Sequence, residues 1–202
     1  MQALRHASFM NEPNLLGIKT LLIIGLCLIK SGHLEDAWVM FGTITRLAQS
    51  IGLHRDPDTI FPALSPYERT VRRHIWWGTL HMDQYLSNML CRPLGISNTG
   101  NCGPPTSFAT NPLELRLSAI IIQSTIVTRE ILSSDSCISP DRVASYTEKL
   151  LDLWSTMPEA LRFEKSWFEA DRLLPEWPLD ISQLHVCASP FMQLCTIDDV
   201  FA

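Results

Sequence analysis

The chain has 202 residues, of which 46% are hydrophobic and 18% charged, and a formal net charge of −5. That composition suits one globular domain, or at most one and a half, and excludes an extended disordered chain, which needs low hydrophobicity with high net charge. The acidic balance argues against a segment that grips nucleic-acid phosphates by itself, because such domains are basic.

"LLGIKTLLIIGLCLI", residues 15–29, is the most apolar run. It falls short of the roughly 20 residues a membrane span needs, and Lys19 interrupts it, so it reads as a buried core helix. Gly32 stops it. In "LEDAWVMFGTITRLAQSIGLH" the residues Ala37, Phe41, Ile44, Ala48 and Ile51 recur at spacings of three and four, which lines one helix face. Gly52 stands where a left-handed C-terminal cap belongs, and Leu53 supplies the apolar contact such caps favour. His54, Arg55, Asp56 and Asp58 follow. A catalytic His–Asp pair is conceivable there, but no nucleophile completes it. The plainer reading is a positive charge complementing the dipole beyond a helix C-terminus.

"SPYE" places Ser65 at an N-cap, Pro66 at the first helical position and Glu68 at the third, a capping box. Val71, Ile75, Gly78, Met82, Leu86 and Met89 then mark a helix running to about Cys91, ended because Pro93 disfavours helix at Arg92. Trp76 and Trp77 point about 100° apart on such a helix, so one is buried while the other packs on a neighbour. Arg73 and Trp77 are an i,i+4 pair, which places a guanidinium on an indole. Asp83 lies beside the apolar stripe; if buried it needs a partner, and Arg92 or an arginine of another helix is expected. His74 and His81 are two turns apart, about 10.5 Å, too far to share a metal ion without a third element. The stretch reads as a structural knot, not an active site.

"SNTGNCGPPTSFATNP" is a long loop over 97–111. Asn111, Pro112 and Glu114 repeat the cap–proline–acid device ahead of another helix. Ser139 and Pro140 open the next, with Val143, Leu150, Leu153 and Met157 on its inner face. Beyond Pro158 the pattern weakens: "LLPEWPLD" reads as a connector, and Pro190 interrupts a doubtful last helix. The six cysteines Cys27, Cys91, Cys102, Cys137, Cys187 and Cys195 form no C-x-x-C pair and no zinc-finger spacing. They read as free thiols, several packed in the core. No nucleotide-binding, hydrolase or zinc-protease motif occurs. The expected fold is all-α, a multi-helix bundle or shell of antiparallel helix pairs.

"AWVMFGTITRLAQSIGLHRDP", a helix start and "RRHIWWGTLHMDQYLSNMLCRPLGI" together resemble the fungal-specific transcription factor domain, the middle homology region of fungal binuclear zinc-cluster regulators. The resemblance is carried by Ala37, Trp38, Gly42, Ala48, Gly52, Leu53, His54, Arg55, Arg72, Arg73, Trp76, Trp77, Asp83, Arg92 and Pro93. Trp154, Pro158 and Leu161 echo a later segment of that family. Three positions depart from it. Val71 stands where a third arginine is common, and Gln84 where arginine often follows the aspartate. Cys91 replaces the glycine before Arg-Pro, where a left-handed backbone would be strained.

The resemblance implies a partial regulatory domain over 1–202, matching best over 34–96, with a loop at 97–111 and C-terminal helices in 112–202. It implies no catalysis and no cofactor in this chain, zinc belonging to the family's N-terminal cysteine cluster outside it. It also implies a nuclear location, no membrane, DNA contact only through that absent cluster, and co-regulators or a small-molecule effector as partners. The alternatives are an α-helical enzyme or ligand-binding module, with Trp38, Trp76, Trp77 and Met82 lining a pocket, and a degenerate fragment. Target genes, regulatory sense and oligomeric state are not legible.

Overall fold

The computed structural model describes residues 12–106, 108, 111–133 and 140–157. All six elements among them are helices: α1 (Leu15–Lys30), α2 (Leu34–Ser50), the single turn α3 (Pro57–Ile60), α4 (Pro66–Met89), α5 (Pro112–Leu132) and α6 (Pro140–Ser155). The chain divides into two compact units, Met1–Thr106 and Ser107–Ala202. The all-α expectation holds for the described residues.

In the first unit, α1 and α2 form a hairpin. Asn14 caps α1 by accepting the Gly17 N–H at 2.9 Å. The hairpin closes tightly at one point. A Cβ on Gly25 would sit 2.6 Å from Cε2 of Phe41, and the Phe41 ring is itself buried. Glycine is therefore required there by close approach. The core joins Ile18 and Leu21 of α1, Ala37, Phe41, Ile44 and Ala48 of α2, and Ile75, Trp76, Leu80 and Leu86 of α4. The α2 face follows the sequence spacing. α1 does not: Leu16 and Ile23 stand exposed at 73% and 62%, so the apolar run is one buried face and one open one.

α1, α2 and α4 end in the same way. After α1, Gly32 has φ 80°, its N–H reaches the Ile29 carbonyl, and the His33 N–H reaches the Leu28 carbonyl. After α2, Gly52 has φ 74°, its N–H reaches Gln49, and the Leu53 N–H reaches Ala48. Leu53 is buried beneath that turn. Paired bonds of this kind define the Schellman cap and satisfy carbonyls the helix leaves open. α4 ends likewise with Cys91 at φ 50°, the Cys91 N–H on Asn88 and the Arg92 N–H on Ser87 at 2.8 Å. Its stop is thus a left-handed cysteine two residues ahead of Pro93, and the strain expected there is present.

The start of α4 matches its sequence signature. The Ser65 Oγ accepts the Glu68 N–H at 3.2 Å, and the Glu68 carboxylate accepts the Ser65 N–H at 3.0 Å. The stripe named from the sequence is too narrow, however. From Thr79 to Ser87 every residue is buried except Met82, which is half-buried. This half of α4 is enclosed on all sides and presents no single apolar face.

In the second unit, α5 buries Leu117, Ile120 and Val127, and α6 buries Tyr146 and Leu150. Lys149 pairs with Glu130 at 3.0 Å, and Arg116 donates to the Thr156 carbonyl at 3.2 Å. Met157 is buried, though it lies past the end of α6, and Leu153 is half-buried. The side chains of Glu114 and Val143, and residues Ser139, Pro158, Leu161, Trp177 and Pro190, lie outside the described residues.

Candidate functional site

The sequence-named residues converge on α4 and on the extended strap that follows it, residues 94–103. Trp76 is fully buried, and its Nε1–H donates to the Thr99 carbonyl at 3.0 Å. Trp77 is half-buried, and its Nε1–H reaches the Cys102 and Gly103 carbonyls at 3.2 and 2.9 Å. The two indoles, 100° apart on the helix, therefore fasten two points of one strap. Buried indole N–H groups need acceptors, and backbone carbonyls of a turn supply them.

Asp83 closes the same strap from its other end. Its Oδ1 accepts the Gly95 N–H at 3.0 Å and its Oδ2 the Ile96 N–H at 3.1 Å. A carboxylate bonded to backbone N–H groups makes the stronger, charge-assisted kind of hydrogen bond. Ile96 is buried as a result. Gly95 must be glycine, because a Cβ there would lie 2.7 Å from Oδ1 of Asp83. Arg92, one of the arginines expected to pair with Asp83, goes elsewhere. Its Nη2 meets Glu35 at 2.9 Å, and its guanidinium lies 4.7 Å from the centre of the Trp38 ring. Pro93 contributes its carbonyl, which accepts the Ser87 hydroxyl at 3.2 Å. Sequence order hides this arrangement: Arg92 follows a left-handed turn that redirects the chain, whereas backbone N–H groups leave no residue-type signal.

The strap also meets the segment between α2 and α3. The Asn101 N–H donates to the His54 carbonyl at 3.1 Å, and the Asn101 side chain accepts the Asp56 N–H at 3.1 Å. Gly100, at φ 75°, passes so close to the His54 carbonyl that no side chain fits. The His54 ring packs 6.0 Å from Trp76, centre to centre. Its Nδ1 is buried without a hydrogen-bond partner. Arg55 is exposed.

Arg73 does not lie on Trp77. Its Nη2 meets Asp56 and Asp58, each at 2.6 Å, and Arg69 meets Asp58 at 3.1 Å. Charge attraction and two hydrogen bonds outcompete an indole face. Asp56 also caps α3. Burial opposes its charge, but the Asp58 N–H and the Arg73 guanidinium outweigh burial and hold its carboxyl below the ordinary range. Arg72 makes the cation–π contact, 4.3 Å above Phe61. That arginine pairs with a ring four residues before the N-cap, a contact between elements that helix spacing cannot reveal.

Of the three described cysteines only Cys102 is buried, and burial pushes its thiol up to about 11. Cys27 and Cys91 are exposed free thiols. Burial likewise raises the Tyr85 hydroxyl to about 12. Gln84, fully buried, has neither amide atom hydrogen-bonded. The His74 ring meets the Thr70 carbonyl at 2.9 Å along its own helix. Among the described residues no group of three His, Cys, Asp or Glu side chains is placed to hold a metal ion. A shallow hollow of about 390 Å³ is lined by Gln49 to Gly52, His54, Arg55, Ile60 and Phe61. Trp38, Trp76, Trp77 and Met82, expected around a pocket, do not line it.

The first unit is thus an α-helical scaffold in which the signature residues Trp76, Trp77, Asp83, Arg73 and Arg92 hold its own chain. Residues 2–100 match the family described as the fungal specific transcription factor domain. The chain belongs to that family through this half and carries a regulatory domain of the kind found in fungal transcription factors. It is 34% identical over 88 residues to an uncharacterized transcriptional regulatory protein of Schizosaccharomyces pombe, covering 43% of this chain and 14% of that one. It is 34% identical over 88 residues to a probable transcription factor of Fusarium proliferatum, covering 44% and 12%. It is 31% identical over 90 residues to the aurofusarin cluster transcription factor of Gibberella zeae, covering 43% and 13%. The matched stretch therefore spans about one seventh of the length of each of these three relatives. No solved structure matches it. No described helix is long and apolar enough to cross a membrane.

Proposed function

We propose that this chain serves as a non-enzymatic control element of a nuclear fungal transcription regulator. Contact with DNA is assigned to a zinc-cluster segment outside these 202 residues, and residues 112–202 continue the regulatory domain. One observation supports the reading above others. Within the stretch that matches the family, Trp76, Trp77 and Asp83 are engaged by backbone groups of the same chain. Groups already engaged in this way are poorly placed to act on a substrate. The net charge of −5 supports leaving DNA phosphates to another segment.

On this reading the domain acts by its packing state, which co-regulators or an effector would bias. The test has two arms. Purified chain titrated with duplex DNA should show no tight binding. Fused to an unrelated DNA-binding domain, it should change output from a reporter, and Asp83→Ala should alter that change. Tight DNA binding that weakens steeply with salt would overturn the division of labour. A fusion with no effect on output would overturn the regulatory role. The degenerate-fragment alternative predicts the absence of a cooperative thermal transition in the isolated chain.

A further inference from the structure

Between α3 and α4 the chain turns an exposed corner. From Pro62 to Glu68 every residue is exposed except the half-buried Leu64, and Tyr67 reaches 66% exposure. Ser65 sits in this corner with Pro66 directly after it, in an extended conformation at φ −60° and ψ 153°. We propose that Ser65 is a phosphoacceptor for a proline-directed protein kinase, and that phosphorylation opens the cap at the start of α4.

Three observations carry the proposal. The first is chemical. A kinase subsite that selects proline after the acceptor serine accepts a residue with no N–H and a fixed φ, and would leave the N–H of any other residue unpaired. Ser65–Pro66 satisfies that demand. The second is access. The hydroxyl-bearing residue and its immediate neighbours face solvent, and only the first turn of α4 must fray to present them, the part of a helix with the least hydrogen bonding to lose.

The third is what the modification does. In the transfer, Ser65 Oγ attacks the γ-phosphorus of a magnesium-bound nucleoside triphosphate. The Oγ–P bond forms as the bond to the β-phosphate oxygen breaks, the hydroxyl proton passes to the kinase base, and the nucleoside diphosphate leaves. Ser65 Oγ now donates to Oε2 of Glu68 at 2.7 Å. The product has no proton to donate there and brings a charge of about −1.5 to −2 against a carboxylate. Glu68 is expelled, and the Ser65 N–H loses the acceptor it has at 3.0 Å. Arg69 and Arg72 lie within the next turn. Arg69 now pairs with Asp58 at 3.1 Å, so the phosphate competes for one of the two arginines that tie α3 to α4.

The test incubates the full folded chain with a proline-directed kinase and ATP, then maps phosphopeptides by mass spectrometry. Ser139–Pro140 and Ser189–Pro190 serve as internal comparisons. The expected result is label on Ser65 that is lost in Ser65→Ala and in Pro66→Ala, the latter keeping the hydroxyl. Ser65→Thr keeps both acceptor and cap, and should carry the label on threonine. It covers the case in which Pro66→Ala does not fold, which a thermal melt would reveal. Amide exchange at residues 65–69 should rise in the phosphorylated chain. Label confined to other serines, label on Ser65 indifferent to Pro66, or label only after denaturation would overturn the assignment. Unchanged exchange at 65–69 in the labelled chain would overturn the opening of the cap.

Discussion

The α1–α2 hairpin and the strap after α4 belong to one unit but are held by different physics. The hairpin closes by shape: Gly25 admits the Phe41 ring, and Ile18, Leu21, Ala37 and Ile44 fill the space around it. The strap has little apolar mass, with Ile96 and Cys102 its buried hydrophobic residues. It is fastened by two indole N–H groups and one carboxylate that pair with its backbone. Apolar packing is spread over many contacts and tolerates small losses. A strap pinned by a few directional bonds fails when one partner goes, because the other is left buried and unpaired. The rare residues of the signature serve the second purpose.

Five substitutions in the full chain would sharpen or break this contrast. Asp83→Ala should cost most, about 3 kcal/mol, since it leaves the Gly95 and Ile96 N–H groups without their acceptor. Its check is the midpoint of denaturant unfolding, and a loss below about 0.5 kcal/mol, the range of a neutral surface change, would remove the clamp from the account. Gly25→Ala should cost about 2 kcal/mol by overpacking the hairpin against Phe41. A paired Phe41→Leu change should recover part of that loss in thermal melts, which no change in the strap should do. Gln84→Met should stabilise by about 1 kcal/mol, because it replaces an unsatisfied buried amide with an apolar chain of similar shape. A drop in melting temperature would mean that the amide has a partner after all. Trp77→Phe keeps a ring but removes the bond to Cys102 and Gly103, and should cost about 1 kcal/mol with faster amide exchange confined to the strap. Cys91→Gly should raise stability by up to about 1 kcal/mol by relieving a left-handed residue. A lower melting point would refute the strain read from φ 50°.

The sequence reveals the hairpin far better than the strap. Spacings of three and four identify the α2 face, and Gly52 and Ser65 announce a stop and a start whose geometry follows from backbone chemistry. Asp83 shows the limit. Its buried position beside the stripe is legible, and so is its need for a partner, but the Gly95 and Ile96 N–H groups it accepts are main chain. Every residue except proline carries an N–H, so the letters do not mark which N–H groups the carboxylate takes. Arg73 fails for a related reason: helix spacing proposes Trp77 one turn away, while the arginine reaches across to Asp56 and Asp58; Arg92, nine residues after Asp83, reaches Glu35 of α2 instead. Gly95 and Gly100 carry a signal that can be read, since glycines in a loop mark close backbone approaches as well as turns.

Hydrogen exchange at the Gly95, Ile96 and Asn101 amides tests the central claim most directly. If Asp83 clamps the strap to α4 and the His54 carbonyl clamps it to the segment between α2 and α3, these three amides exchange as slowly as those in the middle of α4, and Asp83→Ala releases the first two. Exchange at the rate of an open loop in the unaltered chain would contradict the account.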